Sequence, residues 1–135
     1  MNLTNAYEAI YNGVITALED GGSSLKDVTV WDYVPVNKKP PFIILADIDP
    51  RFPSEIATKT SVGYEMTQKI IIVTEAREKL KALSIHDAIT KKLLEDLHVE
   101  GSEVYRQSFA NGKIREVDDG LYIAETFFTL LLEDE

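Results

Sequence analysis

Apolar and polar positions alternate with different periods along this chain, and the clearest change of period lies between Val62 and Leu97. From Val62 one face would carry Val62, Tyr64, Met66, Gln68, Ile70 and Ile72. The other would carry Gly63, Glu65, Thr67 and Lys69 before turning apolar at Ile71 and Val73. A period of two predicts a long strand, half solvated where it begins and buried where it ends. Past Thr74-Glu75-Ala76-Arg77 the apolar residues fall at Ile85, Ile89, Leu93 and Leu97, with Leu80 and Leu94 at the margins of the stripe, which is helical spacing. Ser84 followed by Asp87 resembles a capping box with Asp in place of Glu, so two helix starts stay open, one at Ser84 and one near Arg77.

The N-terminal segment places Leu3, Tyr7, Ile10, Val14 and Leu18 on one helical stripe, and Gly21-Gly22-Ser23-Ser24 ends it. Ala9, Gly13 and Ala17 recur beside that stripe and predict close packing of the helix on a sheet. Val28 to Val34 is rich in β-branched and aromatic residues and stops at Pro35. Asn37-Lys38-Lys39-Pro40 then turns into a second strand from Phe42 to about Ala46, so the pair reads as a hairpin. Asp47 to Ser61, interrupted by Pro50 and Pro53, reads as a long loop and is the first candidate for a partner-binding surface. After the second helix come a strand from Glu103 to Phe109, a turn at Asn111-Gly112, a second turn at Asp118-Asp119-Gly120 and a long strand from Leu121 to Leu132. That last strand is apolar on both faces, which places it either centrally beneath helices or under another subunit. The order α-β-β-β-α-β-β predicts an α+β fold: a mostly antiparallel β-sheet with two helices packed on it, in a single domain spanning 1–135.

Composition narrows the function more than the fold. A hydrophobic share of 44% in 135 residues supports a core without disulfides, and the absence of cysteine removes thiolate metal sites and cysteine nucleophiles. No basic region followed by an apolar block marks a leader, so the chain is expected to be soluble and intracellular when made, and Asn2-Leu3-Thr4 reads as a helix start. A net charge of −9 argues against a dedicated nucleic-acid binder, because phosphate contacts need clustered cations, whereas Lys38-Lys39 and Lys91-Lys92 are isolated pairs.

Candidate chemistry is sparse. Asp47 and Asp49 share a face at a strand end, where they could hold a divalent cation with help from Asp118-Asp119. The nuclease pattern of Glu-x-Lys on a strand is replaced by Glu65-Met66-Thr67, and loop carboxylates are the preferred reading. His86 sits next to Asp87, but adjacent helical residues do not face one another; His98 suits the terminal carbonyls of a helix. No serine lies in a nucleophile elbow, and Gly21-Gly22 follows a helix, unlike a phosphate cradle. The pattern offers no catalytic set and no cofactor. Of the aromatic residues Trp31, Tyr33, Phe52 and Tyr64, three belong to strands and are expected in the core, which leaves Phe52, between Arg51 and Pro53, as the interface anchor.

In order and spacing, the chain resembles the tail-terminator or tail-completion family of long-tailed bacteriophages and prophages. The features that carry this are Val30-Trp31-Asp32-Tyr33-Val34-Pro35 followed by Pro41-Phe42-Ile43-Ile44-Leu45, the strand ending Lys69-Ile70-Ile71-Ile72-Val73, and the helix Ala88 to Leu97. The closing Asp118-Asp119-Gly120-Leu121-Tyr122 with Phe127 and Phe128 completes them. The resemblance implies a non-enzymatic structural protein in the virion, at the head-proximal end of the tail, after assembly in the host cytoplasm. It implies a homo-oligomeric ring, typically a hexamer, that ends polymerisation of the tail tube protein and presents a surface to the head connector. DNA would pass through its lumen without specific binding, and no membrane would be involved. The acidic balance suits such a lumen, and Arg51, Phe52, Ile56 and Lys59 in the long loop are the expected contact surface. Three other readings remain open: another head-to-tail connector or neck protein, a small metal-dependent hydrolase using Asp47 and Asp49, and a host-encoded regulatory module.

Overall fold

A computed structural model describes residues 3–33, 37–51, 63–95, 97–117 and 120–134. Two helices cover one face of a single five-stranded sheet. In chain order the elements are α1 (Leu3–Asp20), β1 (Thr29–Trp31), β2 (Phe42–Arg51), β3 (Gly63–Glu75), α2 (Lys79–Glu95), β4 (Ser102–Val117) and β5 (Leu121–Asp134), with a short 3-10 turn at Ser23–Leu25. This is the α+β order read from the sequence. Across the sheet the strands run β1-β2-β3-β5-β4. The β1–β2 pair is parallel, and the β2–β3, β3–β5 and β4–β5 pairs are antiparallel. It follows that β3 and β4 run the same way, joined by α2 as a crossover, and that β5 fills the gap between them.

The period-two pattern of β3 is realised residue by residue. Tyr64, Met66, Gln68, Ile70 and Ile72 are buried beneath the helices, and Glu65, Thr67, Lys69 and Ile71 are half-buried on the opposite face. β5 repeats the arrangement, with Tyr122, Ala124, Thr126, Phe128, Leu130 and Leu132 buried and the intervening residues half-buried. The helices complete the core with Ala6, Ile10, Val14, Ala17 and Leu18 from α1 and Ala82, Ile85, Ile89 and Leu93 from α2. Each fully buried Ile, Leu or Phe contributes about 1.5–3 kcal/mol relative to exposure, so this layer is the main source of stability.

Several sequence expectations are corrected. β1 and β2 do not form a hairpin: they are parallel, with Thr29 opposite Phe42 and Trp31 opposite Ile44. Residues 32–41 are too many for a tight turn and suffice to carry the chain back to the level at which β1 began. The Pro40–Pro41 bond in that return is cis. Asp47 to Arg51 is strand and not loop, because a bulge after Leu45 sets two residues of β2 opposite Lys69 and the pairing resumes at Ile48–Gln68. Pro50 is tolerated because, among the described residues, this part of β2 has a strand neighbour on one side alone. Asn111-Gly112 is also no turn. β4 runs through it with a second bulge, where Gly112 and Lys113 oppose Glu125. A Cβ on Gly112 would lie 3.0 Å from both the Cβ and the carbonyl oxygen of Glu125, so glycine serves a close approach of backbones there.

α2 is continuous from Lys79, which settles its open start near Arg77 and leaves Ser84 exposed in its interior. Leu80 and Leu94, at the edges of its stripe, are exposed, and Leu97 lies beyond its end. Gly13 allows close approach as expected, but to α2 instead of the sheet: a Cβ there would lie 2.6 Å from Leu93 Cδ2.

Two buried polar side chains, Gln68 and Thr126, sit where pairing is irregular. Gln68 Nε2 donates to the Ala46 carbonyl at 3.0 Å, inside the β2 bulge, and to the Lys69 carbonyl at 2.8 Å. Thr126 Oγ1 donates to the Ala110 carbonyl beside the second β4 bulge at 3.2 Å. Gln107 Nε2 donates to the Leu93 carbonyl at 2.8 Å, capping one of the last free carbonyls of α2 and tying it to β4. Tyr64 and Ser102 hydroxyls pair at 3.3 Å.

One surface ion pair fixes the segment between α1 and β1. Lys81 Nζ on α2 donates to both carboxylate oxygens of Asp27 at 2.9 and 2.8 Å, and this hydrogen bond, its largest cause, holds the Asp27 carboxyl below its ordinary pKa. A depressed carboxylate pKa stabilises the fold above the unfolded value and loses that contribution as pH falls through the folded value. Asp27 is 59% exposed, so solvent screening limits the pair to about 0–1 kcal/mol. Thermal melts should therefore place Lys81→Met at most a few degrees below the unaltered chain at pH 7, with the gap closing once Asp27 is protonated in acid. An unchanged gap in acid would assign the effect to lost packing of the lysine stem.

Candidate functional site: the open sheet face and its two edges

The face of the sheet turned away from the helices carries the principal candidate surface. Phe42, Ile44 and Val73 form a second apolar cluster there, with Trp31, Ala46, Ile71, Leu121 and Ile123 half-buried around it. Register explains the clustering. Phe42 and Ile44 lie opposite Val73 and Ile71 on β3, and Val73 lies opposite Ile123 on β5. Ile71, Val73 and Ile123 are odd-numbered positions of the two central strands, which on this face are apolar at the β5 entry and β3 exit and polar toward the other end. Trp31 closes the apolar end, its Nε1 donating to Thr29 Oγ1 at 3.0 Å and its ring packed edge-on against Tyr33 at 5.5 Å between centroids.

Toward the other end the same face becomes polar. Lys69 lies 4.0 Å from Glu125 and 6.0 Å from the centre of the Phe127 ring opposite it. Thr67 and Thr129 share a hydroxyl hydrogen bond of 2.9 Å across the β3–β5 pair, and Arg51 lies opposite Glu65 at the end of β2. The doubly apolar reading of β5 thus has a simple outcome. The strand is central, and one of its faces is covered by helices while the other is half-exposed.

One of the expected contact residues, Arg51, falls at this polar end. Arg51 is exposed at the last position of β2, and Phe52, Ile56 and Lys59 lie outside the described residues. The aromatic assignment needs one correction: Tyr64 is buried as a strand residue should be, but Tyr33 lies beyond the short β1 and is 58% exposed. β-propensity extended β1 by residues that the chain uses to turn away.

Beside β1, a groove of about 570 Å³ is lined by Tyr7, Glu8, Tyr11 and Asn12 of α1 and by Val30, Trp31 and Asp32. The Tyr7 hydroxyl is buried in its wall without a hydrogen-bond partner among the described residues, and burial together with the charge of Asp32 pushes its pKa up. Pattern reading placed Tyr7 in the core stripe. Its aromatic body does pack on the core, and only its polar tip reaches the groove.

The chemical candidates stay apart. Asp47 and Asp49 are exposed along β2, Asp118-Asp119 lie outside the described residues, and no group of three or more His, Asp or Glu able to hold a metal is found among the described residues. His86 Nδ1 is 3.8 Å from Asp87 Oδ1, too long for a hydrogen bond, and Asp87 is exposed. His98 is exposed three residues past α2 and does not cap it. The hydroxyl of Tyr105, the extra residue of the first β4 bulge, has its pKa raised by a hydrogen bond to Glu133. No described helix is long and apolar enough to cross a membrane.

No family model matches this sequence, and no curated protein matches it. Among solved structures, a chain described as "Virion of native gene transfer agent (GTA) particle" matches with a TM-score of 0.69 and 22% sequence identity, over 96% of this chain and 94% of that one. The chain therefore has, across nearly its whole length, the fold of a chain found in a gene transfer agent virion.

Proposed function

We propose that this chain is a structural subunit of a phage-type virion, and within it a tail terminator: a homo-oligomeric ring at the head-proximal end of the tail. The observation that carries the proposal is the end-to-end match to a chain of a gene transfer agent virion, in which neither chain is left with a large unmatched domain. It agrees with the family resemblance in the sequence, although the match itself speaks for the fold.

The surface supports an assembly role in physical terms. A ring ends a stacked tube when one of its faces fits the last tube ring and the other cannot template a further one. This subunit has an apolar patch and a polar end on the same sheet face, two unlike surfaces for two unlike neighbours. The tail tube protein and the head connector are the proposed partners. The ring, with six subunits as in the resembled family, would let DNA pass its lumen without specific binding, as the net charge of −9 favours.

Electron microscopy of particles assembled with and without the protein tests the reading. Overlong or headless tails are expected in its absence. Tails of normal fixed length, still attached to filled heads, would refute it. Purified tail tubes distinguish the neighbouring reading, since a terminator caps their ends and a portal-side connector leaves them bare.

A further inference from the structure

We infer that successive copies of this chain join edge to edge, the basic outer edge of β4 on one copy lying along the acidic outer edge of β1 and β2 on the next. The inference deepens the ring reading above and rests on it.

Because the sheet order is β1-β2-β3-β5-β4, the two edges lie on opposite sides of one sheet. Among the described residues, β4 is paired with β5 alone over its whole length, and β2 beyond Ile44 has no outer neighbour. Unpaired strand edges are templates for pairing with another chain. Two stretches match in length: 106–111, which pairs regularly between the two bulges of β4, and 46–51 of β2, where Pro50 supplies no N–H and the pairing with another copy rests on the other backbone groups and on side-chain charge.

Charge decides which edge takes which. In a chain of net charge −9, residues 104–115 contain Arg106, Lys113 and Arg115 and no carboxylate, with Glu103 and Glu116 at the two ends of the strand, so that β4 is net cationic. The opposite edge carries Asp32, Asp47 and Asp49 beside Arg51. Arg106, Lys113, Arg115 and the three aspartates are exposed, and none of these six is held in an ion pair with another described residue. Pairing β4 with β4 would set cations against cations, and pairing β2 with β2 would set Asp47 and Asp49 against their own copies. Like charges placed opposite one another are penalised, so both two-fold arrangements are disfavoured and the head-to-tail contact is left. A head-to-tail contact generates a ring when its rotation closes.

The test uses the full chain in sedimentation velocity and native mass spectrometry across a concentration series. The unaltered protein should self-associate at low salt and weaken by roughly tenfold or more as salt is raised toward molar levels. Arg106→Glu with Arg115→Glu, and separately Asp47→Lys with Asp49→Lys, should each weaken association by roughly tenfold or more. A chain carrying all four substitutions should regain it, a recovery that a misfolded protein could not give. An unaltered chain that stays monomeric, a two-substitution variant that still associates normally, or a four-substitution chain that does not recover would each overturn the edge contact.

The two proposals fail separately. Edge variants that self-associate as the unaltered chain does, and still cap tail tubes, would sink the edge contact and leave the terminator reading standing. Edge-dependent association of a chain that caps no tube would do the reverse.

Discussion

Phe128→Ala should cost about 3–5 kcal/mol, a fifth or more of the stability of a typical domain, and lower the melting temperature by roughly 10–20 °C. Phe128 is fully buried in the central strand β5, opposite Gln68 on β3 and Phe109 on β4, with the Phe109 ring centre 4.8 Å away. Truncation there opens a cavity between two strands and the helix layer, and the β-ladders on both sides keep the site from collapsing. The control is its neighbour. Phe127 points to the open face, half-buried beside Lys69, and Phe127→Ala should cost about 1 kcal/mol in the isolated subunit. The contrast tests register as well as packing, because a slip of one residue exchanges the two faces. Equal losses in the two variants, measured by thermal or urea unfolding, would refute the assignment of faces.

The faces of β3 were legible because its first part alternates, whereas β5 is apolar on both sides in sequence and its buried face follows from its pairing with β3 beneath the helices. The element order was legible from periodicity of the same kind. What failed was local to the edges. Pro50 and the acidic residues around it read as loop, yet an edge strand needs no donor on its outer side and can bear charge, so β2 runs on to Arg51. Asn111-Gly112 read as a turn because that dipeptide favours one, and it is spent on a bulge where Glu125 lies too close for a side chain. The direction of β1 could not be read from its residues, since a three-residue strand is apolar or polar in the same way whether it runs parallel or antiparallel.

The candidate surface was less legible than the fold. Pattern reading singled out Asp47 to Ser61 as a loop, of which Asp47 to Arg51 is edge strand and residues 52–61 lie outside the described residues, and it missed the sheet edges. The edge signal was nevertheless present as three cations without a carboxylate between Val104 and Arg115, in a chain where carboxylates outnumber cations by 23 to 14. It could be recognised as an edge only after β5 was known to insert between β3 and β4, a consequence of the α2 crossover that no local pattern encodes. The open face followed the same logic. Odd-numbered apolar residues on β5 announced a second contact, and tertiary structure was needed to show that half of it remains free within one chain.

Gly13 and Leu93 should show a reversal of sign in a double-mutant cycle. A methyl at Gly13 would lie 2.6 Å from Leu93 Cδ2, and Leu93 is fully buried and has little room to yield. Gly13→Ala therefore faces an overpacking cost of about 1–3 kcal/mol, against about 1 kcal/mol gained from the better helix propensity of alanine. Its expected effect in the unaltered chain is destabilising, with α1 pushed away from α2. Leu93→Ala alone should cost about 2.7–5 kcal/mol through the cavity it leaves. In that second background the added methyl enters space that Leu93 has vacated, so Gly13→Ala becomes stabilising, and the two changes couple by about 1–3 kcal/mol. Urea unfolding of the four chains measures this directly. Additive effects would mean that the helices relax apart at no cost, and that the small residues of α1 do not set the spacing of the helical layer over the sheet.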